Sequence, residues 1–133
     1  MKKIKYNDSI EFSNVRDIIN QSIKLYRDNN AFIIKHKEGK DVKYENITYE
    51  LFGKEINALG TALIDMGLKD KKIAVIGENS YEWMLVYLSV LNGVGTIIPL
   101  DKGLPEMEIE NSLKISGCDA IFFTDKNLEM IEK

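Results

Sequence analysis

An α/β fold built from parallel strands is what this sequence predicts, and three observations carry that reading. Residues 73–76 and 96–100 are two short apolar runs, the first ending at Gly77. Between them, residues 83–91 are almost wholly apolar, as a helix buried on more than one side requires. From residue 48 onward, helical and strand patterns alternate, and a strand–helix–strand unit calls for parallel strands joined by a right-handed crossover.

The central unit spans Lys72 to Asp101. Asn79 or Ser80 is expected to cap its helix, with Glu82 three residues after Asn79 as a capping-box partner. Positions 83, 86, 87, 90 and 91 form one stripe, with Met84, Leu85 and Leu88 on the other sides; Asn92 and Gly93 end the helix. Residues 83–100 are uncharged, and about 18 such residues is the lower limit for a membrane span. Asn92, Gly93, Gly95 and Pro99 break that run, and no Lys/Arg cluster flanks it, so a membrane span is not expected.

Upstream, residues 1–12 read as an irregular lead-in. Ser13 or Asn14 caps a first helix with Asp17 as an early acid, and Val15, Ile18, Ile19, Ile23 and Tyr26 form its apolar face. Residues 31–34 and 42–47 predict an N-terminal β-hairpin around Glu38-Gly39-Lys40-Asp41. Thr48 caps a second helix whose stripe is Phe52, Ile56, Leu59, Leu63 and Met66. Gly60 inside it suggests close packing, and Gly67 suits the C′ position.

Downstream, Pro105 suits the first turn of another crossover helix, with Glu106, Glu108 and Glu110 toward its positive end, Ile109 and Leu113 inward, and Gly117 as its stop. Residues 120–123 predict a third parallel strand. A last helix from Thr124 or Asp125, with Leu128 and Ile131 on one side, reaches Lys133 after about two turns, too few to be stable alone. The chain is therefore expected to stop inside an element.

Composition narrows the function. There are 133 residues, 44% hydrophobic, which supports one domain with a real core. A net charge of -3 with both signs interspersed argues against a nucleic-acid-binding face. The basic N-terminus lacks the apolar stretch of a signal peptide, and Cys118, the single cysteine, has no partner for a disulfide. A cytoplasmic home fits both facts.

Chemistry-bearing residues are few. The first strand-to-helix turn, Gly77-Glu78-Asn79-Ser80, is not a dinucleotide-binding glycine loop, and neither a Walker loop nor a GxSxG elbow occurs. One His and one Cys cannot build a zinc set. Glu78 could act as a base, but a turn carboxylate more commonly serves as a helix-end partner. Trp83 reads as core rather than as a stacking platform, and Cys118 as packing. His36, near the hairpin turn between lysines, reads as solvated surface, and Lys69, Lys71 and Lys72 as a solvated loop. Ligands in such sheets sit outside the carboxyl ends of the strands, here 77–80, 101–103 and 124–125.

Four blocks add a resemblance. They are Ile47-Thr48-Tyr49-Glu50-Leu51; Ile73 to Ser80 with Glu82-Trp83; Leu91 to Asp101; and Leu104-Pro105 through Ser116-Gly117 to the strand 120–124. In order and spacing, over residues 13–125, they resemble the start of the adenylate-forming ligases, the group of acyl-CoA synthetases, luciferases and peptide-synthetase adenylation domains. The first is similar to that family's (L/I)TYxEL and the third to its LKAGxxxVPLD, and the overall flavour is nearest to bacterial long-chain fatty acid–CoA ligases.

The resemblance implies that residues 13–133 are an incomplete N-terminal α/β subdomain. It implies ATP, Mg2+ and coenzyme A for a full-length member, which joins a carboxylic acid to AMP and then to a thiol. The family's Ser/Thr/Gly-rich loop with Pro-Lys-Gly, its aromatic-Thr-Glu motif, its ribose-binding Asp and its C-terminal lysine do not occur in these residues. No catalytic residue is therefore transferred, and inactivity alone is expected. In some relatives basic residues after the last strand touch the CoA nucleotide, which implies Lys126, with Lys133 beside it, as a CoA phosphate contact. A further expectation is self-association through apolar surface that the remainder of a ligase would cover. The alternative is a free-standing small α/β module for nucleotide binding or interaction, against which the missing glycine loop counts.

Overall fold

The structure is a computed structural model that describes residues 10–132. Most of the expected lead-in, and Lys133, lie outside the described residues. Helix α1 (Val15–Tyr26) is followed by an antiparallel hairpin, β1 (Asn30–Glu38) and β2 (Asp41–Thr48), and by α2 (Tyr49–Asp65). Then come β3 (Lys72–Ile76), α3 (Tyr81–Ser89), β4 (Thr96–Leu100), α4 (Glu106–Ser116), β5 (Ala120–Phe123) and a short α5 (Leu128–Ile131). The architecture is the α/β arrangement expected: a hairpin and a parallel three-stranded sheet with flanking helices.

The sheet order is β4-β3-β5, with β3 pairing parallel to both neighbours. The chain therefore steps one way from β3 to β4 and then back across β3 to β5. Right-handed crossovers in opposite directions place α3 and α4 on opposite faces. This explains why Ile73, Ala74, Val75 and Ile76 are all buried: β3 is covered on both faces and both edges. Leu63, Ile73, Val90 and Val94 form one core cluster. Ile19, Ile47, Phe52 and Ile56 form a second, where Phe32 of the hairpin packs edge-on against Phe52 at 4.9 Å. Each fully buried aliphatic side chain contributes about 1.5–3 kcal/mol of transfer free energy.

Local signals worked where side chains cap helices. Asn14 Oδ1 accepts from the Asp17 amide at 2.9 Å, and Thr48 Oγ1 from the Leu51 amide at 3.2 Å. Gly67, at φ 84°, ends α2 in a Schellman turn, with its N–H to Ile64 O and the Leu68 N–H to Leu63 O. Gly117 closes α4 at φ 60°.

Several expectations are corrected. Ser80, not Asn79, caps α3: its Oγ accepts from the Trp83 amide at 3.2 Å, so Glu82 is out of register for a capping box. Helix α3 does not run regularly to Asn92; it widens after Ser89 into one π-type turn, Val90–Val94, closed by the Gly95 N–H to Val90 O at 3.2 Å. Gly93 within that turn sits at φ 123°, a conformation only glycine adopts without strain. Met66 leaves the α2 stripe because its backbone departs from the helix (φ -74°, ψ 0°), and its side chain is exposed. On α1 only Ile19 is buried; Val15, Ile18 and Tyr26 are exposed because α2 and the π-turn cover one narrow side. Pro105 is the N-cap of α4 rather than a residue of its first turn. The last helix is a 3-10 turn, Asp125–Asn127, and one helical turn.

Gly60 is buried, but a Cβ there would meet Val94 Cγ2 at 3.6 Å and Ser89 O at 3.7 Å, which is ordinary contact. The close approach belongs to Gly95, where a Cβ would collide with the Lys71 carbonyl oxygen. Among the described residues no helix is long and apolar enough to cross a membrane.

Candidate functional site at the strand ends

The register places Ile76 beside both Leu100 and Phe123, so the three parallel strands end level. Their outgoing loops leave side by side. Glu78 stands two residues past β3, Lys102 two residues past β4, and Lys126 three residues past β5. All three converge: Lys102 Nζ donates to Glu78 Oε2, and Lys126 Nζ lies 3.5 Å from Glu78 Oε1. Glu78 and Lys102 are each about half exposed and Lys126 more so, so the cluster lies at the surface.

Backbone detail holds the loops in place. A Cβ at Gly77 would stand 2.6 Å from Thr124 Cγ2, so glycine lets the end of β3 close on the end of β5. Thr124 Oγ1 donates to Asn127 Oδ1 at 2.9 Å, and Asp101 Oδ1 accepts from the Gly103 amide at 2.8 Å. The Lys102 hydrogen bond and charge, with a smaller contribution from Lys126, hold the Glu78 carboxyl below the usual carboxylate range. Glu78 is thus a fixed anion between two cations, in keeping with a helix-end partner and a poor fit to a general base. The lysines leave the cluster with one net positive charge.

A small pocket of ≈110 Å3 adjoins these ends, walled by Val75, Ile76, Trp83, Phe122 and Phe123. Trp83 is half-buried, and its ring stacks on Tyr87 at 5.2 Å with 12° between planes. It lines this pocket instead of joining either core cluster, because α3 turns that side toward the open strand ends. A wider cleft of ≈610 Å3 runs between the hairpin and α3, past Phe32, Ile34, Tyr81 and Met84. The Tyr81 hydroxyl donates to Glu55, and burial, then that bond, raise its pKa.

The lysine-rich loop lies at the opposite, amino edge of the sheet and is more than solvated. Lys71 Nζ is 3.1 Å from Asp119 Oδ1, the Lys72 amide donates to Asp119 Oδ2 at 2.9 Å, and Lys72 Nζ donates to Ser116 O at 2.7 Å. The hydrogen bonds from the Lys72 amide first and then from Lys71 lower the Asp119 pKa. His36 is exposed, as expected, yet faces Glu45 across the hairpin at 2.8 Å. Cys118 is a half-buried free thiol.

Sequence reading named Glu78 and Lys126 separately and did not see that Lys102 joins them. The available signal was positional: each residue sits two or three places beyond the end of an apolar strand. Among the described residues no group of three or more His, Cys, Asp or Glu is placed to hold a metal ion, and the β3–α3 turn presents a carboxylate where a phosphate would need amides.

The profile of the AMP-binding enzyme family matches residues 20–133. The chain belongs to that family. Similar proteins include the mitochondrial medium-chain acyl-CoA ligase ACSF2 of Bos taurus, 28% identical over 107 residues, which are 78% of this chain and 17% of that protein. Bacitracin synthase 2 of Bacillus licheniformis is 29% identical over 59% of this chain and 3% of its own length. The chain thus spans about a sixth or less of these relatives. Among solved structures, the N-terminal domain of FACL13 from Mycobacterium tuberculosis superposes with a TM-score of 0.76 at 17% identity, covering 91% of this chain and 29% of that one. NpsA of Klebsiella oxytoca superposes at 0.72 and 22% identity, covering 86% and 22%. These neighbours share the fold of the matched region with this chain.

Proposed function

We propose that this chain is the N-terminal scaffold of an ATP-dependent ligase that activates a carboxylic acid, nearest to a fatty acid, as an acyl-adenylate and passes it to coenzyme A. The observation that supports the reading most is the family match over residues 20–133 combined with an acyl-CoA ligase relative of which the chain spans only 17%. Lys126, exposed at the strand ends and only loosely paired with Glu78, is the proposed contact for a CoA phosphate. The scaffold holds the strand ends level, while residues outside this sequence supply the adenylation chemistry. A cytoplasmic location belongs to the same proposal. So does self-association, since Ile33, Tyr44, Met107 and Ile115 are bare; light scattering of concentrated protein is expected to show oligomers.

Two measurements test the reading. The 133-residue polypeptide with ATP–Mg2+, a fatty acid panel and coenzyme A is expected to release no pyrophosphate above blank. The coding frame beyond codon 133 is expected to stay open and to encode a Ser/Thr/Gly-rich loop with Pro-Lys-Gly. A stop at the next codon, or turnover by the polypeptide, sinks the proposal.

A further inference from the structure

The hairpin sorts its charges by face. Side chains alternate along each strand, and residues paired across an antiparallel ladder share a face. All three carboxylates of the two strands, Glu38, Asp41 and Glu45, lie on the face whose base, Phe32 and Ile47, joins the second core cluster. There they are matched by cations, Lys43 with Glu38 at 2.6 Å and His36 with Glu45 at 2.8 Å. The outward face carries Ile33, Lys35 and Lys37 opposite Asn46, Tyr44 and Val42. All six are exposed, and none is acidic. Lys35, Lys37 and, at the tip, Lys40 have no ion-pair partner among the described residues. A cationic face thus stands on a chain whose net charge is -3.

The mixture on that face says what it fits. Ile33, Val42 and Tyr44 offer bare apolar area between the lysines, whose stems lie along apolar surface while the ammonium groups stay with polar partners. A nucleic-acid backbone would meet the lysines and leave the aliphatic side chains in water. A second copy of the same face would set lysines against lysines. The boundary between headgroups and acyl chains of an anionic bilayer meets both halves: it takes up apolar side chains and attracts lysines, and tyrosine favours that depth.

We propose that the outward face of the β1–β2 hairpin docks on an anionic lipid bilayer, with Ile33, Val42 and Tyr44 in the interface and Lys35, Lys37 and Lys40 on the headgroups. No residue of this face belongs to the strand-end cluster, so the proposal stands or falls apart from the ligase reading. The test is co-sedimentation of the 133-residue chain with vesicles of phosphatidylcholine alone, or with about a third phosphatidylglycerol. Binding to the mixed vesicles is expected to be at least about tenfold tighter, and to be lost near 0.5 M salt, where screening acts within about 4 Å.

Lys37→Gln should weaken that binding by about fivefold, and Lys35→Gln combined with it by about thirtyfold. Lys43→Gln removes the same charge from the opposite face and should change binding by less than about twofold. The emission of a Tyr44→Trp chain should move to the blue with mixed vesicles, while that of Trp83 in the parent chain should not. No binding to mixed vesicles, equal binding to phosphatidylcholine alone, or equal losses from Lys37→Gln and Lys43→Gln with melting curves intact would each overturn the proposal. So would oligomers that Ile33→Ser disperses in a chain that ignores vesicles, a result that assigns the face to a second copy.

Discussion

The parallel sheet and the hairpin are both strand structures, one of apolar strands and one of charged strands, and they are stabilised differently. In β3 every residue from Ile73 to Ile76 is at most 2% exposed. In the hairpin only Ile47 is buried, while Ile33 is 60% and Tyr44 64% exposed. The sheet is held by burial on two faces. The hairpin is held by its turn at Gly39, by cross-strand pairs such as Lys43 with Glu38 at 2.6 Å, and by one side leaning on α2. The functional contrast follows. The rigid sheet sets the level strand ends where Glu78, Lys102 and Lys126 meet, whereas the hairpin borders only an open cleft.

The largest expected break in that contrast comes from truncating matched isoleucines. Ile73→Ala should cost about 2–5 kcal/mol in urea unfolding, because it leaves a cavity in a fully buried strand. Ile33→Ala should stay within about 0.5 kcal/mol. Similar losses at the two sites would mean that the hairpin is packed far better than its exposure indicates.

Next come two glycines, Gly95 just before β4 and Gly60 inside α2. Gly95→Ala drives a Cβ into Lys71 O, the acceptor of the Thr96 amide bond at 2.9 Å that opens the β3–β4 pairing. A loss of about 1–3 kcal/mol is expected. Gly60→Ala meets only ordinary contacts inside α2 and should raise stability by about 0.5–1 kcal/mol. Thermal melts of the pair should move in opposite directions.

The smallest effect is at the junction of hairpin and α2. Hydrogen bonds from Arg27 first, then Lys54, lower the Glu50 pKa from 4.5 to about 2. A depressed carboxyl stabilises the fold above its unfolded pKa and loses that contribution as pH falls through the folded one. Glu50→Gln should therefore flatten the pH dependence of melting between about pH 4.5 and 2, with little change in the midpoint slope above pH 5. A mutant curve parallel to wild type across that window would remove Glu50 as its source.

Local information in the chain accounts for its elements. Alternation of apolar runs placed β3, β4 and β5; Asn14 and Thr48 announced the helix starts; and Gly67 and Gly117 announced the stops, because caps and periodicity act over three or four residues. The family resemblance was legible for the same reason, since its blocks are those turns and strands. Packing at long range set everything else. The strand order β4-β3-β5, the meeting of Glu78 with Lys102 and Lys126, and the packing of the π-turn against α1 and α2 all join residues 24 or more positions apart. Met66 and Trp83 make the point in reverse. Their helical spacing was that of core residues, but a stripe becomes core only where another element arrives to cover it.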